Sequence, residues 1–153
     1  MEKYNFQYCP KIVIVSSDLT KVFLCKRKGE RDYDGVFSFI GGKMERTDAS
    51  IIAGLSREKN EEVGSGFKIE LYPTFSLNLL FQKKDGSPMI LPHYLAIYKE
   101  GEVNLNAEEY SEYAWVEITN LEKFEPKIET IPEAVRELLK LYSTNIDQKA
   151  TLI

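Results

Sequence analysis

A change of period a third of the way along the chain constrains its fold more than any other feature. After a strand-like run at 36–40 (VFSFI), the sequence stops at Gly41-Gly42 and crosses the acidic loop 43–48. It then takes up a helical repeat over 49–63, closed by Gly64, the residue type favoured just beyond a helix. Counted at about 100° per residue from Arg57, Glu61 falls near 40°, Glu58 near 100° and Glu62 near 140°. Three carboxylates therefore share one side of the helix. Ile51, Ile52, Leu55 and Val63 fall between about 120° and 240°, an apolar stripe to be buried against a sheet. Gly54, near 60°, lies beneath the carboxylates. Its missing side chain is expected to leave room for a ligand, at a helix cost of about 1 kcal/mol.

Carboxylates at these spacings repel by a few tenths of a kcal/mol per pair, a penalty that a cation removes. Hard divalent cations take oxygen ligands, and magnesium uses one or two carboxylates with phosphate oxygens and water. An acidic helix face alone is ordinarily a solvated surface. Here the glycine turn also delivers Glu45 and Asp48 to the helix start, which makes the combination specific.

The remaining periodicity describes a sheet around that helix. Residues 11–15 (KIVIV) and 22–25 (VFLC) read as a hairpin about Ser16-Ser17-Asp18. Strand signals return at 67–71, 74–82, 89–98 and 113–118, with the turn-forming 84–87 (KDGS) joining two of them. Residues 131–142 (IPEAVRELLKLY) form a second helix, with Pro132 in its tolerated first turn. This order predicts an α/β fold, helices packed on a mixed sheet, in one domain spanning 1–153. The polar segment 143–153 is expected to be a loose tail.

A net charge of −4 argues against a general nucleic-acid binder, though a metal ion can still bring a small anion to an acidic site. Cys9 and Cys25 sit in or beside apolar runs without a CxxC pattern, so both are expected to pack as reduced, small hydrophobes. With no signal-like opening or membrane-length apolar run, the expected compartment is the cytoplasm. His93 is the only histidine; without a second histidine or a cysteine beside it, a structural role is expected. Tyr72, Phe75, Phe81 and Tyr94 are candidates for a base-stacking platform, or for core.

The run Gly41-Gly42-Lys43-Met44-Glu45 followed by Arg57-Glu58-Lys59-Asn60-Glu61-Glu62-Val63-Gly64 resembles the Nudix box. Gly42 matches its opening glycine, and Arg57, Glu58, Glu61, Glu62 and Gly64 match its second half. More weakly, 22–27 (VFLCKR), Gly35, Phe37 and Trp115-Val116-Glu117 resemble the family's approach to the box and its late strand. The likeness covers about residues 10–142. Four features depart from the pattern: Asp48 replaces the first glutamate, eight residues rather than seven separate it from Arg57, Lys59 and Ser65 stand at aliphatic positions, and Ile40 replaces a common proline.

The resemblance implies a Nudix-like α/β/α sandwich and a metal-dependent hydrolase that cleaves the pyrophosphate bond of a nucleoside diphosphate linked to another moiety. Its cofactor would be Mg2+, with Mn2+ as a substitute. Glu58, Glu61, Glu62 and the Gly42 carbonyl are the implied metal ligands, and Arg57 holds the carboxylates, paired with Asp48. Gly42, Lys43 and Arg27 are the implied substrate contacts. The general base would be Glu61, or Glu109 from the acidic group Glu108, Glu109 and Glu112, with Glu109 alternatively an extra ligand. The alternative is a catalytically weak Nudix-like module that holds or senses a nucleotide. A third reading, action on capped RNA ends, is disfavoured by the charge. The partner is thus a small nucleotide, with no membrane and no nucleic acid, and the protein a monomer or homodimer.

Overall fold

The structure is a computed structural model that describes residues 5–144 and 147–153. In chain order its elements are β1 (Gln7–Tyr8), β2 (Lys11–Val15), β3 (Lys21–Arg27), β4 (Phe37–Ser38), β5 (Ile40–Gly41), α1 (Ile51–Val63), β6 (Lys68–Leu71), β7 (Leu77–Gln82), β8 (Pro88–Glu100), β9 (Tyr110–Glu117), α2 (Ile131–Thr144) and β10 (Thr151–Leu152). The sheet runs β10-β6-β8-β2-β3-β4, with β1 and β7 also on β8, β5 on β2 and β9 on β3. It is mixed: β1 and β2 lie parallel to β8, whereas β6 and β7 lie antiparallel to it.

Strand side chains alternate between two faces, and the core divides accordingly. Ile12, Ile14, Phe23 and Cys25 point to the face that carries Leu55 and Val63 of α1. Val13, Val15, Val22 and Leu24 point to the face that carries Ile131, Val135 and Leu138 of α2. Fully burying one such aliphatic side chain contributes about 1.5–3 kcal/mol, so each helix is fixed by a few residues. The result is the expected α/β/α sandwich around a mixed sheet.

The structure corrects several details. Helix α1 starts at Ile51 rather than residue 49, because the Ser50 side chain accepts the Ala53 N–H at 3.0 Å and caps it. Ile51 is 41% exposed, so the apolar stripe begins at Ile52. The expected strand 36–40 is split into β4 and β5. The tail is not loose at its end: β10 pairs with Leu71 and Glu70 of β6, and Ile153 exchanges two backbone hydrogen bonds with Ile69. Its short apolar Thr-Leu-Ile ending supplies what a free sheet edge can take up; residues 145–146 of that predicted tail lie outside the described residues. Cys9 and Cys25 are buried free thiols. No described helix is long and apolar enough to cross a membrane.

Candidate active site

The turn after β5 exists because two glycines stand in it. Gly41 has φ +134°, and a Cβ there would come within 2.3 Å of the Pro10 carbonyl oxygen. A Cβ on Gly42 would meet the Glu58 carboxylate at 2.3–2.5 Å. The second glycine therefore lets the helix bring a carboxylate onto the backbone of the turn.

Arg57 ties the acidic loop to α1. Its Nε donates to Asp48 Oδ1 and its Nη2 to Asp48 Oδ2, both at 2.9 Å, the two-pronged geometry for which a guanidinium is suited. Nη2 also reaches the Lys43 carbonyl at 3.2 Å, and Nη1 reaches Glu58 at 2.8 Å. Asp48 in turn accepts the Glu45 N–H at 2.7 Å. Hydrogen bonds from Arg57 lead in lowering the Asp48 pKa to about 2. The pair forms as the sequence predicts. Gly54 is corrected: a Cβ there would strike Met44 Sδ at 2.5 Å and Asp48 Oδ2 at 2.9 Å, so the space it leaves holds the loop rather than a ligand.

Among the described residues Glu62 is the most enclosed acid, 3% exposed. Its Oε2 accepts the Gly41 N–H at 2.8 Å and its Oε1 accepts the Tyr110 hydroxyl at 3.0 Å. Burial pushes its pKa up to about 8, assisted by the charge of Glu58 and opposed by that of Lys11. Burial also raises Glu58, against the pull of Arg57, and nearby Glu61 and Glu109 push the same way. Lys59 is fully buried, its amine donating to the carbonyls of Phe67 at 2.8 Å and Gly64 at 3.3 Å. It therefore closes the C-terminal end of α1, where cations are favoured. Desolvation lowers its pKa to about 8.

A cleft of about 510 Å³ opens over this region. Glu58, Glu62 and Glu109 line it together with Arg27, Lys43 and Gly42. Those candidates are brought together; Glu61 is not. Its side chain is 54% exposed and pairs with Arg57 at 3.4 Å, outside the cleft lining. Arg57 likewise stands behind the lining. Among the described residues no three acids, histidines or cysteines enclose a cation by themselves. The cleft instead places two desolvated helix carboxylates beside a third from another loop, a hard-oxygen set whose mutual repulsion a divalent cation relieves.

Sequence reasoning missed Lys11 and Tyr110, which line the same cleft. Lys11 lies inside an apolar strand and Tyr110 follows the acidic loop, so only pairing through the sheet reveals them. It also missed Tyr33, which meets Phe81 with ring centroids 5.6 Å apart. Of the proposed platform aromatics, Phe81 lines the cleft, Tyr72 stacks on Phe75, and Tyr94 is buried in the core. His93 is buried, its Nδ1 bonded to the Leu91 carbonyl at 2.8 Å.

Comparison with known proteins matches this fold. No functionally curated protein matches the sequence. The MutT protein of Methanosarcina mazei Go1 superposes with a TM-score of 0.72 at 19% identity, covering 93% of this chain and 99% of that one. An Ap4A hydrolase from C. elegans, in a binary complex, gives 0.72 at 14% identity over 91% and 99%. The NUDIX domain of Shewanella oneidensis NrtR, complexed with ADP ribose, gives 0.67 at 17% identity over 90% of each chain. At these identities the likeness establishes the fold. The family model for the NUDIX domain matches residues 10–139, nearly the whole chain, and on that match the protein belongs to the Nudix family of pyrophosphate hydrolases.

Proposed function

We propose that this protein hydrolyses the pyrophosphate bond of a nucleoside diphosphate joined to a further group, using Mg2+. One observation carries the reading: a buried and a half-buried carboxylate for a cation and basic side chains for phosphate line the same cleft. Glu58 and Glu62, with the Gly42 carbonyl, would hold the ion. Substrate phosphates and water would complete its shell. When bound, such an ion offsets charge on the diphosphate and lowers the pKa of an attacking water.

The chain's own residues do the rest. Arg27 lines the cleft with a buried Nε that has no hydrogen-bond partner, and a phosphate oxygen would satisfy it. Lys43 supplies a second positive charge at the rim of the turn. Arg57, held by Asp48, fixes Glu58 rather than touching substrate. Of the two candidate bases, Glu109 lines the cleft and Glu61 does not, so Glu109 is assigned the proton of the attacking water. That oxygen bonds to one phosphorus as the bridging P–O bond breaks, leaving two phosphate-ended products.

The test is a panel of nucleoside diphosphate derivatives incubated with and without Mg2+, the products being separated by chromatography. Metal-dependent cleavage into two phosphate-ended products is expected. Tight nucleotide binding without turnover would replace the enzyme by a nucleotide-holding module.

A further inference from the structure

The two helix carboxylates of the cleft are held by different chemistry. Glu58 is paired with the Arg57 guanidinium at 2.8 Å. Glu62 is the more deeply enclosed, yet among the described residues no lysine or arginine forms an ion pair with it. Neutral groups hold it instead: the Gly41 N–H donates to Oε2 at 2.8 Å and the Tyr110 hydroxyl donates to Oε1 at 3.0 Å. A carboxylate offers about four acceptor positions, so one donor on each oxygen leaves acceptor capacity on both for a cation. A guanidinium would offset the charge that draws such an ion. An uncharged donor orients the carboxylate and leaves its charge whole. The Tyr110 ring is buried in the core cluster on the α1 face, so water does not compete for the bond.

The backbone closes a ring around that hydroxyl. The loop before β9 is docked on the end of α1: the Asn104 N–H donates to the Val63 carbonyl and the Asn106 N–H to the Glu62 carbonyl, both at 2.9 Å. The Asn106 carbonyl in turn accepts the N–H groups of Glu109 at 3.2 Å and Tyr110 at 3.0 Å. From the Glu62 main chain through Asn106 to Tyr110, and back through the hydroxyl to the Glu62 side chain, the circuit is complete. The sheet holds its far side, where the Lys28 N–H donates to the Glu109 carbonyl at 2.9 Å and Arg27 pairs with Tyr110. These backbone bonds fix where the Tyr110 ring stands, and the hydroxyl then fixes Oε1 of Glu62. Glu109, assigned the proton of the attacking water, is the adjoining residue. The ion-holding acid and the loop of the base therefore share one anchor.

We infer that Tyr110 is a positioning residue for the hydrolysis: its hydroxyl holds Glu62 in the orientation that takes the ion, and it acts only through that carboxylate. This role rests on the metal-dependent reading of the cleft, and the experiment separates the two. Mn2+ binding to the full chain, without substrate, would be followed by electron paramagnetic resonance for wild type, Tyr110→Phe, Glu62→Gln and the double variant. Tyr110→Phe removes one oxygen and keeps both the ring and the backbone bonds of the loop, so the fold is retained. Its Mn2+ affinity is expected to fall about tenfold. Added to Glu62→Gln, the same change is expected to alter affinity less than about twofold, because the hydroxyl has no ligand left to orient. Kinetics should split the same way: at Mg2+ that saturates wild type, kcat falls about tenfold while the substrate KM stays within about twofold. Equal Mn2+ affinity in wild type and Tyr110→Phe, or an undiminished loss in the Glu62→Gln background, would overturn the role of Tyr110 and leave the metal reading standing. A wild type that binds no Mn2+ would overturn both.

Discussion

The Glu58 carboxylate lies against the backbone of Gly42 so closely that a Cβ at position 42 would stand 2.3 Å from one of its oxygens. The neighbour is the end of a flexible side chain, so an added methyl group displaces the carboxylate rather than the fold. Gly42→Ala is therefore expected to change stability by no more than about 1 kcal/mol. Its kcat/KM should fall by roughly ten- to a hundredfold as Glu58 leaves its place. Denaturant unfolding beside steady-state kinetics would separate the two; a large stability loss with normal kinetics would mean the contact serves folding alone.

Arg57 holds the loop through its fork. Lysine retains the charge but cannot bind both Asp48 oxygens while reaching Glu58 and the Lys43 carbonyl. Arg57→Lys is expected to cost about 1–3 kcal/mol in urea unfolding, with reduced turnover because the acidic loop is no longer tied to α1. Asp48→Asn, which keeps shape but removes charge, should fall between wild type and Arg57→Lys.

His93 gives the fold a pH dependence. Burial lowers its pKa to about 4 from an ordinary 6.5, so the folded state binds this proton less readily than the unfolded one. The stability it contributes is complete above about pH 6.5 and is lost as the pH falls through about 4, up to about 3 kcal/mol. Chemical unfolding of wild type and His93→Gln between pH 7 and 4 would show the difference between them narrowing as acid is added. Parallel curves would remove His93 from the acid response.

Much of this was legible in the sequence because period and chemistry coincided. The strand at 11–15 was legible as an apolar run, and its strand geometry turns Ile12 and Ile14 to one helix and Val13 and Val15 to the other. The pairing of Arg57 with Asp48 was readable from opposite charge and the two-pronged guanidinium. Three features were not. Lys59 reads as a polar intrusion into an apolar stripe until the carbonyls of Gly64 and Phe67, contributed by the turn beyond the helix, are seen to receive it. A helical wheel places Glu61 and Glu62 on one side, but it does not contain the sheet that buries Glu62 and leaves Glu61 to solvent. Tyr110 enters the cleft through strand pairing across the sheet.

The chain end was illegible for a related reason. Thr151–Leu152 is too short to show a period, and only the free edge of β6 gives it a partner. Deleting residues 151–153 should uncover Ile69 and Leu71 and lower stability by about 1–3 kcal/mol, read as a lowered urea midpoint. An unchanged midpoint would show that β10 adds nothing to the edge.

The sharpest test of the catalytic account compares three amide substitutions on one helix, Glu58→Gln, Glu61→Gln and Glu62→Gln, by kcat on the best pyrophosphate substrate at saturating Mg2+. The cleft geometry predicts that Glu58→Gln and Glu62→Gln each lose more than about a hundredfold while Glu61→Gln loses less than about tenfold. A severe loss in Glu61→Gln with near-normal turnover in Glu62→Gln would contradict it.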